Sequence, residues 1–450
     1  MQLTKITGRL PLFAFIMLMC ASSHAAAQAG SLDPTFGNKG VATAPMGAKA
    51  IAIQSDGKIV VAGAGVSNSQ FFDTLLRLNT DGSLDTTFGS GGIAYLTPPG
   101  AGSAPLGFFA LAIQPNGEIV AAGATQTEQG GYTNFVQVAL VESNGSLDTS
   151  FGSGGFTAPN MIAFTPYNVT GTEALALALE SNGSILVATS YSNLLVRFTS
   201  SGQLDTTFGN GGIVNLANQG PNTSFAPTQI ALEKNGKILV TSGGVAPAPL
   251  VQAGTISRYN INGSLDATFG AGGTAACVAS ASALLVQSNG KIVVAGSLTS
   301  KLNAPPAGND VGFGVVRYSS SGILDKSFGS GGVAVADFGT SALLSGAFAV
   351  AIQANDEIVA GGAAAQGALN QSFDSAFALA RFTGAGALDT SFGSGGLVTT
   401  TLVSGSSNVY SYVTGLAIQT DGKIVAAGNT AVDQGFGSGT GAYVVRYLAQ

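Results

Sequence analysis

Histidine and tryptophan are nearly missing from this chain of 450 residues: His24 is the only His, and there is no Trp. Cysteine is almost as scarce, with Cys20 and Cys277 alone. Charged residues make up only 9% of the chain. Each absence excludes chemistry. One His cannot build a His-ligated zinc or iron centre, and if His24 is lost with a leader there is neither a Ser-His-Asp triad nor a Cys-His pair. A lone thiol in an exported chain makes no internal disulfide, so Cys277, in the strand-like stretch after Thr274-Ala275-Ala276, reads as a small buried hydrophobe. No cofactor and no metal centre is expected.

The N-terminus reads as a secretory leader. Lys5 and Arg9 form a short basic region, Leu10 to Ala21 an apolar core, and Ala25-Ala26-Ala27 or Ala27-Gln28-Ala29 a small-x-small cleavage site. Met19 precedes Cys20, where a lipobox needs Gly, Ala or Ser, which argues against lipidation. Residues 1–29 are therefore expected to be removed and the product exported, to a secreted, periplasmic or cell-surface location. Its formal charge then falls from -6 to -8, because Lys5 and Arg9 leave with the leader. An acidic surface repels phosphate backbones, so nucleic acid is excluded as a partner. No later apolar run is long enough for a transmembrane helix.

What the chain has in abundance is repetition. The phrase Leu-Asp-x-Thr/Ser-Phe-Gly occurs seven times, with its Asp at 33, 85, 148, 205, 266, 325 and 389, a mean period of about 59 residues. A second phrase, apolar-x-apolar-Gln-x-x-Gly-Lys-Ile-Val-x-Ala-Gly, keeps the same period. Its best copies run Ile51 to Gly63, Leu111 to Gly123, Leu285 to Gly296 and Leu416 to Gly428, with weaker ones around Gly183, Gly236 and Asp356. A third landmark is an Arg in an apolar context, at Arg77, Arg197, Arg258, Arg317, Arg381 and Arg446; the third copy has Leu140 instead.

Each unit reads as four strands. In the second, Gly92–Leu96 is strand a, Phe109–Ile113 strand b, Glu118–Ala122 strand c and Asn134–Leu140 strand d, with Asn116-Gly117 turning b into c. No segment has a 3.6-residue apolar period, so almost no helix is expected. The predicted fold is all-β, a single seven-bladed β-propeller of four-stranded antiparallel blades spanning residues 30–450. The first Leu-Asp phrase at Asp33 and the last strand d at Arg446 should meet.

These phrases resemble the delta-60 repeat, a bacterial β-propeller repeat with the same Leu-Asp-x-x-Phe-Gly and Gly-Lys-Ile-Val-x-Ala-Gly elements, over about residues 31–448. The resemblance implies a propeller and supplies no catalytic residues. Copy three departs from it at Leu140 and Ser184.

The recurring Asp has two readings. Asn79-x-Asp81-Gly82-x-x-Asp85 has the look of a calcium loop, but no acidic residue ends it, and Asn144, Ser201 or Ala385 replaces Asp81 elsewhere. A turn cap paired with the strand d Arg fits better. The b–c turns are short and uniform, whereas the a–b and c–d connections vary in length, so binding is expected on the a–b/c–d face. Tyr95, Phe108, Tyr167, Phe225, Tyr410 and Tyr412 are the candidate ligand-binding residues there, with blade packing the competing role. The reading is a non-catalytic scaffold that recognises an extracellular protein or glycan. The alternative is a carboxylate-based glycosidase or lyase at the channel mouth. It draws on the acids outside the repeat phrases: Asp73, Glu128, Glu173, Asp310, Asp337, Asp374 and Asp433. Nothing in the sequence assigns catalytic residues.

Overall fold

The computed structural model describes residues 28–99, 103–127, 133–157, 174–190, 193–216, 226–243, 254–277, 280–299, 311–339, 345–366, 374–403, 409–432 and 441–449. Among these there is no helix, and so none long and apolar enough to cross a membrane.

The strands follow the repeat. Val41–Ala44 is β1. Met46–Ile53, Ile59–Ser67, Gln70–Leu78 and Ile93–Leu96 are β2 to β5, and form an antiparallel sheet in that order. Ser103–Ile113, Ile119–Thr127 and Thr133–Val141 (β6 to β8) form a three-stranded sheet. A single bridge, Ala139 to Phe156, stands where its fourth strand would be. Ala174–Leu179, Ile185–Thr189, Leu194–Phe198 and Ile213–Asn215 (β9 to β12) form the next sheet. Ala226–Leu232, Ile238–Gly243, Gly254–Tyr259 and Thr274–Cys277 (β13 to β16) follow, then Ser280–Val286, Ile292–Thr299, Val311–Tyr318 and Val333–Ala336 (β17 to β20).

The remaining strands are Gly346–Ile352, Ile358–Gln366, Asp374–Phe382 and Leu397–Thr400 (β21 to β24), and Val409–Ile418, Ile424–Val432 and Gly441–Tyr447 (β25 to β27). With β1 they form one eight-stranded sheet. The two halves of that sheet are joined by one parallel bridge, Ser375 to Tyr410. The order within each unit is thus b, c, d and then the a strand of the next repeat. At the end of the chain β27 takes β1 as its partner, with Val41 opposite Val445.

Strands covered on both faces carry continuous apolar runs rather than alternating ones. Strands c and d are buried nearly throughout: Ile185–Thr189 and Leu194–Phe198 are buried at every position. Their clusters lie between consecutive repeats rather than within one sheet. One joins Val60, Ala62 and Leu75 of the first sheet to Phe108, Ile119 and Ala139 of the second. Another joins Phe36, Ile59 and Val61 to Val425 and Val444 near the C-terminus. Strands b pack side by side in sequence, β2 on β6, β6 on β9, and so on to β21 on β25, and β25 also packs on β2.

Two expectations need correcting. Strand b of the second unit begins at Ser103, not Phe109, so part of the supposed variable connection is ladder. Ala29, assigned above to the leader, is packed in the cluster with Phe392 and Tyr447, and its carbonyl accepts from the Gly393 N–H. The segment from Ala29 belongs to the folded unit because it occupies a turn position otherwise filled by chain-internal residues. Cys277 is buried, as expected.

Candidate binding face and the seams between repeats

Each Leu-Asp-x-x-Phe-Gly phrase builds the same joint. The Asp Oδ1 accepts from the N–H and hydroxyl of the Thr or Ser two residues on, as at Asp85 with Thr87 (3.1 and 2.7 Å). In six repeats the strand d Arg approaches the other carboxylate oxygen: Arg77 to Asp85 at 2.7 Å, Arg197 to Asp205 at 2.8 Å, Arg446 to Asp33 at 2.9 Å. The same guanidinium lies over the phrase's own Phe ring, at 4.4 Å in Arg317–Phe328 and 4.7 Å in Arg258–Phe269. Its Nη1 then donates to a backbone carbonyl of the following repeat: Arg77 to Ser143, Arg197 to Ile261, Arg258 to Ser320, Arg317 to Gly384, and Arg446 to Thr80.

The phrase's Gly carries a second link. Its N–H donates to a carbonyl four residues before the next repeat's Asp: Gly37 to Asp81, Gly89 to Asn144, Gly152 to Ser201, Gly209 to Asn262, Gly270 to Ser321 and Gly329 to Ala385. Gly393 donates to Ala29, at the other end of the chain. Only Gly serves there: φ is +53° at Gly270, and a Cβ would sit 2.1 Å from the Thr274 carbonyl oxygen.

These contacts set the acidities. At Asp33 burial opposes ionisation, but Thr35, Lys423 and Arg446 outweigh it and hold the carboxyl down at about 2. Asp266 is held far below the ordinary carboxylate range by Lys237, Thr268 and Arg258. Asp148, which faces Leu140 rather than an Arg, is lowered by Ser150 alone. The turn-cap reading of the recurring Asp is borne out.

A third link is made in repeats one and six. Gln54 Nε2 donates to the Gly117 carbonyl of the next b–c turn (3.1 Å), and Gln353 Nε2 to that of Gly422 (2.9 Å), while their Oε1 atoms accept from Arg77 and Arg381. Repeats three and four carry Glu180 and Glu233 at this position. Glu233 Oε1 accepts from Arg258, but its buried Oε2 has no donor. Glu180 Oε2 lies 3.5 Å from Arg197 and accepts no hydrogen bond; burial raises this carboxyl's pKa. Beside Glu233 lies a cavity of about 460 Å³, also lined by Lys237, Arg258, Gln287 and Gly290.

The predicted ligand-binding residues separate. Tyr95 is half-buried on β5 and meets Phe72 edge-on at 5.3 Å. Tyr410 and Tyr412 are half-buried on β25, and Tyr412 meets Phe348 edge-on at 6.4 Å. Phe108 is wholly buried among Phe88, Leu96 and Ile119, so it is a packing residue. Tyr167 and Phe225 lie outside the described residues. So do Glu128, Glu173, Asp310 and Asp433 among the non-repeat acids. Asp374 accepts from the Val409 N–H, and Asp337 from the Gly339 N–H. Asp73 is wholly buried between the first two sheets, accepting from the Gly107 N–H and the Gln137 amide.

A β-bulge explains Phe108. The β6–β7 ladder skips Phe109, which leaves Phe108 facing the seam. Every strand b has its bulge at the same place, skipping Lys49, Phe109, Leu175, Thr228, Ser282, Phe348 and Thr414. Lys49 and Phe348 are exposed on otherwise largely covered strands. The Lys49 ammonium sits 5.6 Å from the centre of the Phe109 ring. These residues escaped the sequence reading, although one signal was available. All stand five places before the Gln or Glu of the second phrase, in a column where the copies differ in chemical type.

Five stretches of the chain, residues 54–88, 114–151, 180–208, 287–328 and 419–450, match a family described as a domain of unknown function (DUF5122) β-propeller. The chain matches no curated protein. Among solved structures it is similar to a virginiamycin B lyase from Staphylococcus aureus, at 12% identity over 90% of this chain and 99% of that one, with a TM-score of 0.42. It is also similar to the polysaccharide lyase Uly1 (12% identity, 96% and 94%, TM-score 0.47) and to YCF48 bound to a D1 peptide (10%, 95% and 100%, TM-score 0.46). By its sheets and its matched repeats the chain is all-β and β-propeller-like, with five stretches similar to that family.

Proposed function

We propose that this protein is an exported, non-catalytic seven-bladed propeller that recognises an extracellular protein or glycan through its a–b/c–d face. The observation that carries the closed ring is the set of seven like hydrogen bonds from one phrase's Gly to the next repeat, the last of which joins Gly393 to Ala29. The contact of β25 with β2 and the pairing of β27 with β1 support it. The leader then ends at Ala27, the first of the two candidate cleavage sites, because Ala29 has a place in the fold.

Recognition is supported by how side chains are used. The phrase carboxylates and guanidiniums are committed to joints. Asp73 and Asp374 hold backbone N–H groups. Half-exposed aromatic side chains remain on the strand ends that feed the variable connections. The test is a glycan array and a pull-down from extracellular material, run beside a broad hydrolase and lyase screen. Binding without turnover is expected. Turnover lost in Asp374→Asn, with the melting temperature kept, would establish the carboxylate enzyme instead.

A further inference from the structure

On the reading that the b strands line a closed channel, we propose that Lys49, Phe109, Phe348 and Tyr412 form one binding arc for a saccharide bearing a carboxylate. The four belong to the sixth, seventh, first and second repeats, which are neighbours round the chain. Phe348 meets Tyr412 across one seam. Thr414 Oγ1 reaches the Ala48 carbonyl across the next (3.3 Å). Lys49 covers Phe109 across the third. The bulge directs Lys49, Phe109 and Phe348 away from the blade cores, Tyr412 stands two places before the bulge of its strand, and the remaining bulge positions hold Leu175, Thr228, Ser282 and Thr414, which offer neither a ring nor a charge.

The chemistry of the arc selects the ligand. Aromatic faces take the C–H faces of sugar rings. Six of the seven b strands end their sheets and β25 makes a single parallel bridge beyond its ladder, so most of their inward N–H and C=O groups make no ladder and suit a hydroxyl-rich partner. The tyrosine hydroxyls of Tyr410 and Tyr412 add to these. Most other lysines near the seams are paired with phrase carboxylates, Lys58 with Asp85, Lys237 with Asp266, Lys291 with Asp325 and Lys423 with Asp33. Among the described residues no carboxylate pairs with Lys49, whose contact is the Phe109 ring. A lysine that no carboxylate among the described residues holds favours a single local anion over a densely charged polymer.

The probe is oligogalacturonate, with its methyl ester as the neutral form of the same sugar, titrated calorimetrically into the full chain. The acid is expected to bind at least roughly tenfold more tightly than the ester, the scale of one charge-assisted hydrogen bond. Lys49→Met should bring the acid down to the ester's affinity and leave the ester unchanged. Phe348→Ala and Tyr412→Ala should weaken both, and Leu175→Ala neither, with melting temperatures recorded for each variant. Equal binding of acid and ester, or a Lys49→Met variant that still prefers the acid, overturns the proposal. So does failure to bind oligogalacturonate when the glycan array finds another ligand; the recognition reading then stands. Silence in array, pull-down and titration together removes both.

Discussion

Arg258 shows how one residue type joins a repeat protein. Its Nε pairs with Asp266 at 2.7 Å, its plane covers Phe269, and its Nη1 crosses to the Ser320 carbonyl. Removing the carboxylate strands a buried guanidinium, so Asp266→Ala should cost about 1–3 kcal/mol in denaturant unfolding. Asp148→Ala, with no Arg to strand, should cost under about 1 kcal/mol. If the two substitutions cost the same, the Arg is not the partner that matters. Glu180 is a different case. Neutral Gln at that position donates to the next turn in repeats one and six, whereas Glu180 has nothing to donate when ionised. Glu180→Gln should raise the melting temperature, by more at pH 8 than at pH 5. Asp73 carries a related penalty. Burial dominates and pushes this carboxyl up to about 7 from an ordinary 3.8. The folded chain therefore keeps a proton that the unfolded chain releases near 3.8, and stability from this group declines as pH rises from there to about 7. Asp73→Asn should flatten that decline; an unchanged pH profile of unfolding would show that Asp73 does not titrate in this window.

Among the elements, the d–a linker is the best conserved between repeats and strand b the most individual. The second repeat lacks the Arg, and the third has a single bridge where its a strand would be and carries Glu180 in place of the Gln. Amide exchange is expected to be faster in the linker Leu147–Gly152 than in Leu265–Gly270, because fewer contacts hold it closed. Equal protection would mean that the backbone joint alone sets local stability. The linkers, the b–c turns and the strand order were legible in the sequence because each depends on fixed local chemistry: Asn-Gly turns, Asp caps and apolar runs. The bulge was not. A bulge is one unpaired residue in a strand, and Phe108 and Phe109 look equally suited to either face until the ladder is known. Tyr95 was placed on the right strand, but its partner, Phe72, comes from a different strand, which no local pattern announces. The buried role of Asp73 was equally hidden, since its partners lie 34 and 64 residues away.

For the whole molecule, the ends of the chain are the decisive region. Gly30 N–H donates to Leu448, Leu448 N–H to Ser31, and Asp33 N–H to Arg446. The same three bonds join Gly82 to Asn79, Asn79 to Ser83, and Asp85 to Arg77 within one continuous turn. Two chain ends thus rebuild together a turn that every other repeat makes from one segment. Its carboxylate, Asp33, is held at about 2 against an ordinary 3.8, so the stability it adds is complete above 3.8 and is lost as pH falls towards 2. On the proposed closed ring, protection of this joint should weaken in acid, and Asp33→Asn should weaken it at neutral pH. Hydrogen exchange measured site by site tests closure most directly. The account predicts that the Gly393 and Leu448 N–H groups are protected as strongly as Gly89 and Asn79, their counterparts in the chain interior. Fast exchange at Gly393 and Leu448, with Gly89 and Asn79 protected, would mean an open array of repeats and would contradict it.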